Sequence, residues 1–173
     1  MYCRHELEEP DLLLTSWNRT LSSKDIFEAN FTGCELIAED LVEAYLPYSK
    51  FADANLYRAQ LQLAVLNNSK LDRSNLSLAN LKQANLYFAS LVGTNLSGAN
   101  LSAANLQYAN LSHANLKGAV LSATDLKGAN FEGTDLTGAV FDRTNLYRAR
   151  NVNLRHADLD SLSIDVDGLP CLR

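Results

Sequence analysis

The side chains best suited to acid–base or metal chemistry in this sequence are three histidines, and they are widely separated. His5, His113 and His156 share no spacing with each other or with a carboxylate that would mark a catalytic or metal site. A solvated surface histidine is therefore the expected state of each. We expect no catalytic residue, no cofactor and no metal.

The cysteines do not indicate chemistry either. Cys3, Cys34 and Cys171 are an odd number and form no CxxC pair, so the sequence predicts neither a disulfide framework nor a zinc site. Cys34 stands at a position where small residues recur, which predicts a buried, inert side chain.

Two polar groupings could bind a ligand. Four arginines lie between residues 143 and 155 and could touch nucleic acid, but the sequence mixes them with aspartates, which favours a solvated, partly self-paired surface. A column of amides recurs every twenty residues, and we interpret it as a stack that stabilises turns rather than a metal site. The arginines are Arg143, Arg148, Arg150 and Arg155; the column is Asn55, Asn75, Asn95, Asn115 and Asp135.

Charge and hydropathy exclude several classes of protein. The net charge is −5, and no Asp, Glu, Lys or Arg occurs from Gln83 to Leu116, so the surface does not suit nucleic acid. No stretch approaches the roughly 20 apolar residues that cross a bilayer. The acidic segment Met1 to Glu9 lacks the order of a signal peptide. We therefore expect no membrane contact and a cytoplasmic location.

The element that must position all of these residues is a five-residue repeat. Every fifth residue from Ile26 to Leu146 is apolar, the residue two before it is nearly always small, and Asn or Asp often stands between them. The run from Ala99 to Tyr108 shows the unit A-N-L-x-x twice. On a helix a period of five scatters the leucines, and on a flat strand they would alternate between faces. The pattern fits a short extended segment followed by a bend, with the small residue and the leucine pointing inward.

The number of sides of one coil follows from the longer period. Outward aromatic residues recur at multiples of twenty, and so do the inward Phe31, Phe51 and Phe131. Twenty residues are four units, so the sequence predicts a four-sided coil whose backbones stack about 4.8 Å apart.

The A-N-L-x-x units resemble those of the pentapeptide-repeat family, whose motif is A-(D/N)-L-x-x, over residues 21–169. The resemblance implies an all-β fold, a right-handed four-sided parallel β-helix. It also raises DNA mimicry as a function, because some members protect DNA gyrase and other type II topoisomerases.

Three regions are predicted along the chain. Residues 1–20 are out of register and predict an N-terminal cap, and residues 21–150 form the repeat. After Leu146 the pattern resumes at Leu154, eight residues on, which predicts a bulge or loop of extra residues there. Residues 151–173 would then form an out-of-phase coil and a C-terminal cap.

Aromatic side chains form the outward feature that stands above background. On a coil of twenty residues they share one side, which is typical of a binding surface. The alternative is a ladder of rings that stacks along the rod and shields the backbone. The predicted stripe comprises Phe27, Tyr45, Tyr48, Tyr87, Phe88, Tyr108 and Tyr147.

These features favour a non-catalytic interaction or scaffold protein with a protein partner, acting through the surface or ends of a rod. A gyrase inhibitor that mimics DNA is the alternative. The middle third of the chain, which is net positive or uncharged rather than acidic, speaks against it. The apolar tail with Leu169, Pro170 and Leu172 predicts a homodimer joined through the C-terminal end.

Overall fold

The computed structural model describes residues 28–159, and they form a single coiled rod. Every fifth residue from Asn30 to Asn130 pairs in parallel with the residue twenty positions later. One coil therefore takes twenty residues and has four sides, as the sequence predicted. No stretch between residues 28 and 159 forms a helix, and none is long and apolar enough to span a bilayer as one.

The four sides are named by the outward residue that each coil contributes to the ladder. Side 1 carries Asn30, Lys50, Lys70, Ser90, Asn110, Asn130 and Arg150. Side 2 carries Glu35, Asn55, Asn75, Asn95, Asn115 and Asp135. Side 3 carries Asp40, Gln60, Asn80, Asn100, Val120, Val140 and Asp158. Side 4 carries Tyr45, Val65, Asn85, Asn105, Asp125 and Asn145.

The core is the column of apolar residues that the repeat predicted. Leu101, Leu106 and their equivalents are fully buried, and the small residues two positions before them fill the space between. Phe31 stacks on Phe51 with ring centroids 4.8 Å apart, which matches the spacing of the coils. Each buried leucine contributes about 1.5–3 kcal/mol relative to an exposed one, so the core contributes to the stability of every coil.

Each corner is a four-residue turn that begins at the buried leucine. The N–H of Ala104 donates to the carbonyl of Leu101 at 3.0 Å, and the same bond recurs along the rod. The third residue of the turn has a φ between 51° and 68°, which is the type II pattern. Glycine is the least strained residue there, yet side chains as large as Tyr108 occupy this position. The asparagine before the leucine supports the turn, since Asn100 Oδ1 accepts the N–H of Ser102 at 3.0 Å.

The last described coil is shorter than the others, not longer. Val140 pairs with Asp158, eighteen positions on instead of twenty. Residues 151–153 connect side 1 to Leu154, where the preceding coil has the five residues 131–135. Leu154 is buried and takes the turn position that Leu136 has one coil earlier. The expectation of a bulge with extra residues was therefore wrong. The eight residues from Leu146 to Leu154 take the place of two repeats, which are ten residues, and not of one repeat of five.

The predicted caps lie outside the described residues. Residues 1–20 and the apolar tail after Leu159 carry predictions that stay untested, and so does the division of the chain into three regions.

Cys34 differs from its prediction. Its side chain is buried in the small-residue position, as expected, at 5% exposure, but its sulfur is in a disulfide bond. The expectation of an inert free thiol without a disulfide was wrong, because cysteine spacing does not reveal which segments the fold brings together.

Candidate interaction surface

The predicted aromatic residues occupy the corner between sides 4 and 1, with two exceptions. Tyr45 lies on side 4 itself and is exposed. Phe27 lies outside the described residues. The remaining five stand in the first two turn positions after a buried leucine, and we call this edge the aromatic corner: Tyr48, Tyr87, Phe88, Tyr108 and Tyr147.

Three of these rings form one cluster near the middle of the rod. Phe88 stacks on Tyr108 with centroids 5.0 Å apart and planes 15° from parallel. Tyr87 meets both rings edge-on, at 4.6 Å and 5.9 Å. Phe88 is 51% exposed and Tyr108 41%. The rings thus stack along the rod, as the ladder hypothesis requires, and also present apolar area to solvent, as a binding surface requires.

Glycine gives the stack its room. A Cβ added at Gly128, one coil beyond Tyr108, would lie 2.6 Å from Cδ1 of that ring. The ring of Tyr108 therefore lies over the backbone of Gly128. This packing fixes the orientation of the Tyr108 ring on the surface of the rod.

Cations flank the aromatic corner at its C-terminal end. The guanidinium carbon of Arg148 lies 5.1 Å from the ring centroid of Tyr147, and Nζ of Lys127 lies 5.8 Å from the same centroid. Both distances are in the range of a cation–π interaction. Neither cation has a carboxylate within ion-pair distance among residues 28–159.

The arginines near the C-terminal end do not form one patch. Arg143 follows side 3 and bonds Asp142 at 3.3 Å, whereas Arg155 stands on the corner between sides 2 and 3. Arg148 is on the aromatic corner, and Arg150 is next to it on side 1. The coil therefore distributes four neighbouring arginines around its circumference, and only Arg148 and Arg150 share a surface.

The histidines are likewise separate and exposed. His113 stands on the corner between sides 1 and 2, with Nδ1 2.5 Å from the point where a Cβ on Gly133 would lie. His156 stands on the corner between sides 2 and 3. In the described part of the chain, no three His, Cys, Asp or Glu side chains are placed to hold a metal ion. His5 is outside that part.

The amide column of side 2 is a hydrogen-bonded ladder. Nδ2 of Asn75, Asn95 and Asn115 donates to Oδ1 of the asparagine one coil earlier, at 3.1, 3.3 and 3.3 Å. Asn55 begins the ladder by donating to Glu35. Each Oδ1 also accepts the N–H of the residue two positions on. Both hydrogen-bonding functions of these amides are used, which is the arrangement of a structural stack.

The ladder ends at a carboxylate. Hydrogen bonds from the side chain and the N–H of Thr137, with the charges of Lys117 and His156, hold the pKa of Asp135 below its ordinary value. An ionised carboxylate cannot donate, so the ladder stops at this coil.

Comparison with known proteins agrees with the fold. The family model for pentapeptide repeats matches in overlapping stretches between residues 25 and 161. The chain therefore belongs to the pentapeptide-repeat family, whose members are in general structural or interaction proteins rather than enzymes. Its fold is the right-handed four-sided parallel β-helix. A comparison with curated proteins finds no significant match.

Solved structures give the same class. Full-length QnrB1, a plasmid-mediated fluoroquinolone resistance protein, is 19% identical with a TM-score of 0.57, and the match covers 82% of this chain and 84% of that one. A trypsin-treated variant of QnrB1 is 20% identical with a TM-score of 0.56 and 86% coverage of both chains. HetL, a pentapeptide-repeat protein involved in heterocyst differentiation regulation from the cyanobacterium Nostoc sp. strain PCC 7120, is 27% identical with a TM-score of 0.40, covering 84% of this chain and 81% of that one. At these identities the QnrB1 structures bear on the fold alone.

Proposed function

We propose that this chain is a non-catalytic interaction protein that binds a protein partner through the aromatic corner. The observation that carries the proposal is the cluster of Tyr87, Phe88 and Tyr108, in which Phe88 and Tyr108 are exposed and Tyr87 is half-buried. It lies within the stretch from Gln83 to Leu116, which contains no charged residue. The rings are flanked on their own coils by neutral side chains, with Lys70 and Lys127 one coil away. An apolar centre with a charged rim is the composition of a protein interface.

Rigidity supports the same proposal. The rings stand on turns whose backbone is fixed by bonds to the next coil, such as Tyr108 N–H to the carbonyl of Lys127 at 2.8 Å. A surface that is already ordered loses little conformational entropy when a partner binds.

The test is capture of partners on immobilised full-length protein, followed by reconstitution with each purified partner. The matched variants are Phe88→Ala and Leu63→Ala. Both residues are exposed side chains at the same left-handed turn position, but Leu63 is on another corner. Loss of binding with the first variant only is expected. Equal binding by both variants would refute a role for the aromatic corner.

DNA mimicry against gyrase is the alternative function. A DNA mimic needs acidic groups repeated along the rod, whereas this rod has no acid from Gln83 to Leu116. Five acids gather instead in the first described coil: Glu28, Glu35, Glu39, Asp40 and Glu43. Gyrase supercoiling assayed with added protein separates the two functions. Inhibition at stoichiometric protein would favour the mimic.

Self-association through the C-terminal end belongs to the same proposal. Leu169, Pro170 and Leu172 give that end an apolar character, and apolar surface drives association. We expect a dimer in sedimentation experiments at tens of micromolar, and a monomer after deletion of residues 169–173. A monomeric full-length protein, or a dimer that survives the deletion, would show that this tail is not the contact.

The cytoplasm is the location we propose from the sequence, but the disulfide at Cys34 favours an oxidising compartment, so the state of this cysteine in the cell decides between the two. Disulfides persist mainly in oxidising compartments. Alkylation of the native protein before and after reduction measures the state of this thiol in the cell. A fully oxidised Cys34 would refute the cytoplasmic location.

A further inference from the structure

The charges around the aromatic corner are segregated by sign. The corner and the adjoining side 1 form one continuous strip, made of the residues at 47–48 and 50 and their equivalents every twenty positions up to 147–148 and 150. This strip contains five basic residues and no acidic one among residues 47–150: Lys50, Lys70, Lys127, Arg148 and Arg150. The nearest acids are Glu28, on the same corner one coil before Tyr48, and the flanking Asp53, Asp72, Asp125 and Glu132.

No acid of the described coils forms an ion pair with a cation of the strip. Asp125 on side 4 accepts hydrogen bonds from Gln107, Asn145 and the N–H of Lys127 with its two oxygens. On the other flank Asp53 is paired with Arg73 at 2.7 Å. None of the five strip cations is within ion-pair distance of a carboxylate in the described part of the chain. Their charge is therefore available to a ligand.

The cations stand at the two ends of the strip and the rings stand between them. Lys50 and Lys70 are exposed on the second and third coils, Lys127, Arg148 and Arg150 are on the last two, and the coils between carry Phe88 and Tyr108. Lys50 and Arg150 are five coils of twenty residues apart, which is about 24 Å at strand spacing. An extended peptide covers that distance with about seven residues.

We propose that the strip binds an extended segment of a partner protein that is apolar or aromatic in its middle and acidic at both ends. The proposal rests on the proposed function and specifies the partner's chemistry. The middle of the segment packs on the ring cluster, and its carboxylates pair with the cations at either end, as in an interface with an apolar centre and a charged rim.

Single-stranded nucleic acid would also supply negative charge and stacking groups, but it fits less well. Its phosphates repeat at every nucleotide, and proteins that bind it follow the backbone with a continuous positive groove. Here the fourth and fifth coils of the strip have Ser90 and Asn110 where a cation would be needed. The phosphates above them would remain unpaired.

The experiment uses the full-length protein and a fluorescein-labelled peptide with three glutamates on each side of Trp-Leu-Phe. A peptide with lysines in place of the glutamates and a single-stranded oligothymidylate of twelve nucleotides are the competing probes. We expect the acidic peptide to bind at least about tenfold more tightly than either, with an affinity that falls as salt is raised. Equal or tighter binding of the oligonucleotide would overturn the proposal in favour of nucleic acid, and no binding of the acidic peptide would overturn it outright.

Matched variants locate the site. Arg148→Glu on the strip is compared with Arg58→Glu, because both arginines occupy the left-handed turn position and stack on a preceding tyrosine at 5.1 Å. We expect the first to raise the Kd of the acidic peptide about tenfold and the second to leave it nearly unchanged. Equal effects would overturn the assignment. If a captured partner protein still binds Arg148→Glu fully, this inference fails while the proposed interaction function stands.

Discussion

Removal of one amide from side 2 tests whether the ladder stabilises the rod. Asn95→Ala deletes three hydrogen bonds: to Asn75, from Asn115 and from the N–H of Ser97. Asn105→Ala is the matched control, since Asn105 occupies the same position of the repeat on side 4. Its side chain accepts only the N–H of Gln107 and makes no amide–amide bond to the described coils.

The difference between the two variants isolates the ladder. Both lose one bond to the turn, so that contribution cancels. A net intramolecular hydrogen bond is worth about 0.5–1.5 kcal/mol. The two ladder bonds of Asn95 are both 3.3 Å long and only half-buried, so we take the low end for each. The free energy of unfolding should therefore fall by about 1 kcal/mol more for Asn95→Ala than for Asn105→Ala.

Urea unfolding followed by circular dichroism measures that difference. A chain of this length should also show a midpoint temperature lower by about 2–4 °C for each kcal/mol. A repeat rod can unfold from its ends, so the slopes of the two transitions must agree before the free energies are compared. If Asn105→Ala is equally or more destabilising, the ladder makes no net contribution and the reasoning is wrong.

Three further outcomes are expected. Leu101→Asp should unfold the rod because it buries a carboxylate with no partner, whereas Ser102→Asp should change the free energy of unfolding by a few tenths of a kcal/mol. Urea unfolding measures both effects, and equal effects would refute the assignment of Leu101 as inward and Ser102 as outward. Gly128→Ala should destabilise more than Gly118→Ala, because both have a left-handed φ but only the first would meet a ring, and near-ultraviolet circular dichroism should report the displaced tyrosine. The hydrogen bond from Arg73 lowers the pKa of Asp53 below 3.8. Any stability that this contact contributes is therefore present above pH 3.8 and is lost as the pH falls through the lowered pKa. Asp53→Asn should reduce this acid dependence in unfolding curves between about pH 5 and pH 2.

The five-residue and twenty-residue periods of the sequence predict most of the fold. Inward leucines every fifth residue and aromatics every twentieth fix both the number of sides and the residue that faces out, because each coil repeats one geometry. Local irregularities escape this reasoning. The gap from Leu146 to Leu154 could mean three residues more or two fewer, and only the path of residues 151–153 decides between them.

Only part of the candidate site could be predicted from the period of the sequence. The rings of Tyr87, Phe88 and Tyr108 could be placed on one edge by counting in twenties. Counting in twenties also places Lys50 and Lys70 beside this edge, yet both lysines are far from the ring cluster in sequence and belong to no motif. The disulfide of Cys34 could not be inferred, because the spacing of three cysteines does not identify a pair.

The left-handed turns explain why function can vary on a fixed core. A residue other than glycine costs about 1–2 kcal/mol there, and the rod accepts this cost on every side, at Arg58 and Leu63 as well as at Phe88. Strain alone therefore does not mark a binding site in this fold. What distinguishes the aromatic corner is that stacked rings and cations without an ion pair to the described coils occur together on one edge. The backbone of the coils fixes the positions of the outward residues whatever their type. The identity of these residues therefore decides what the rod can bind.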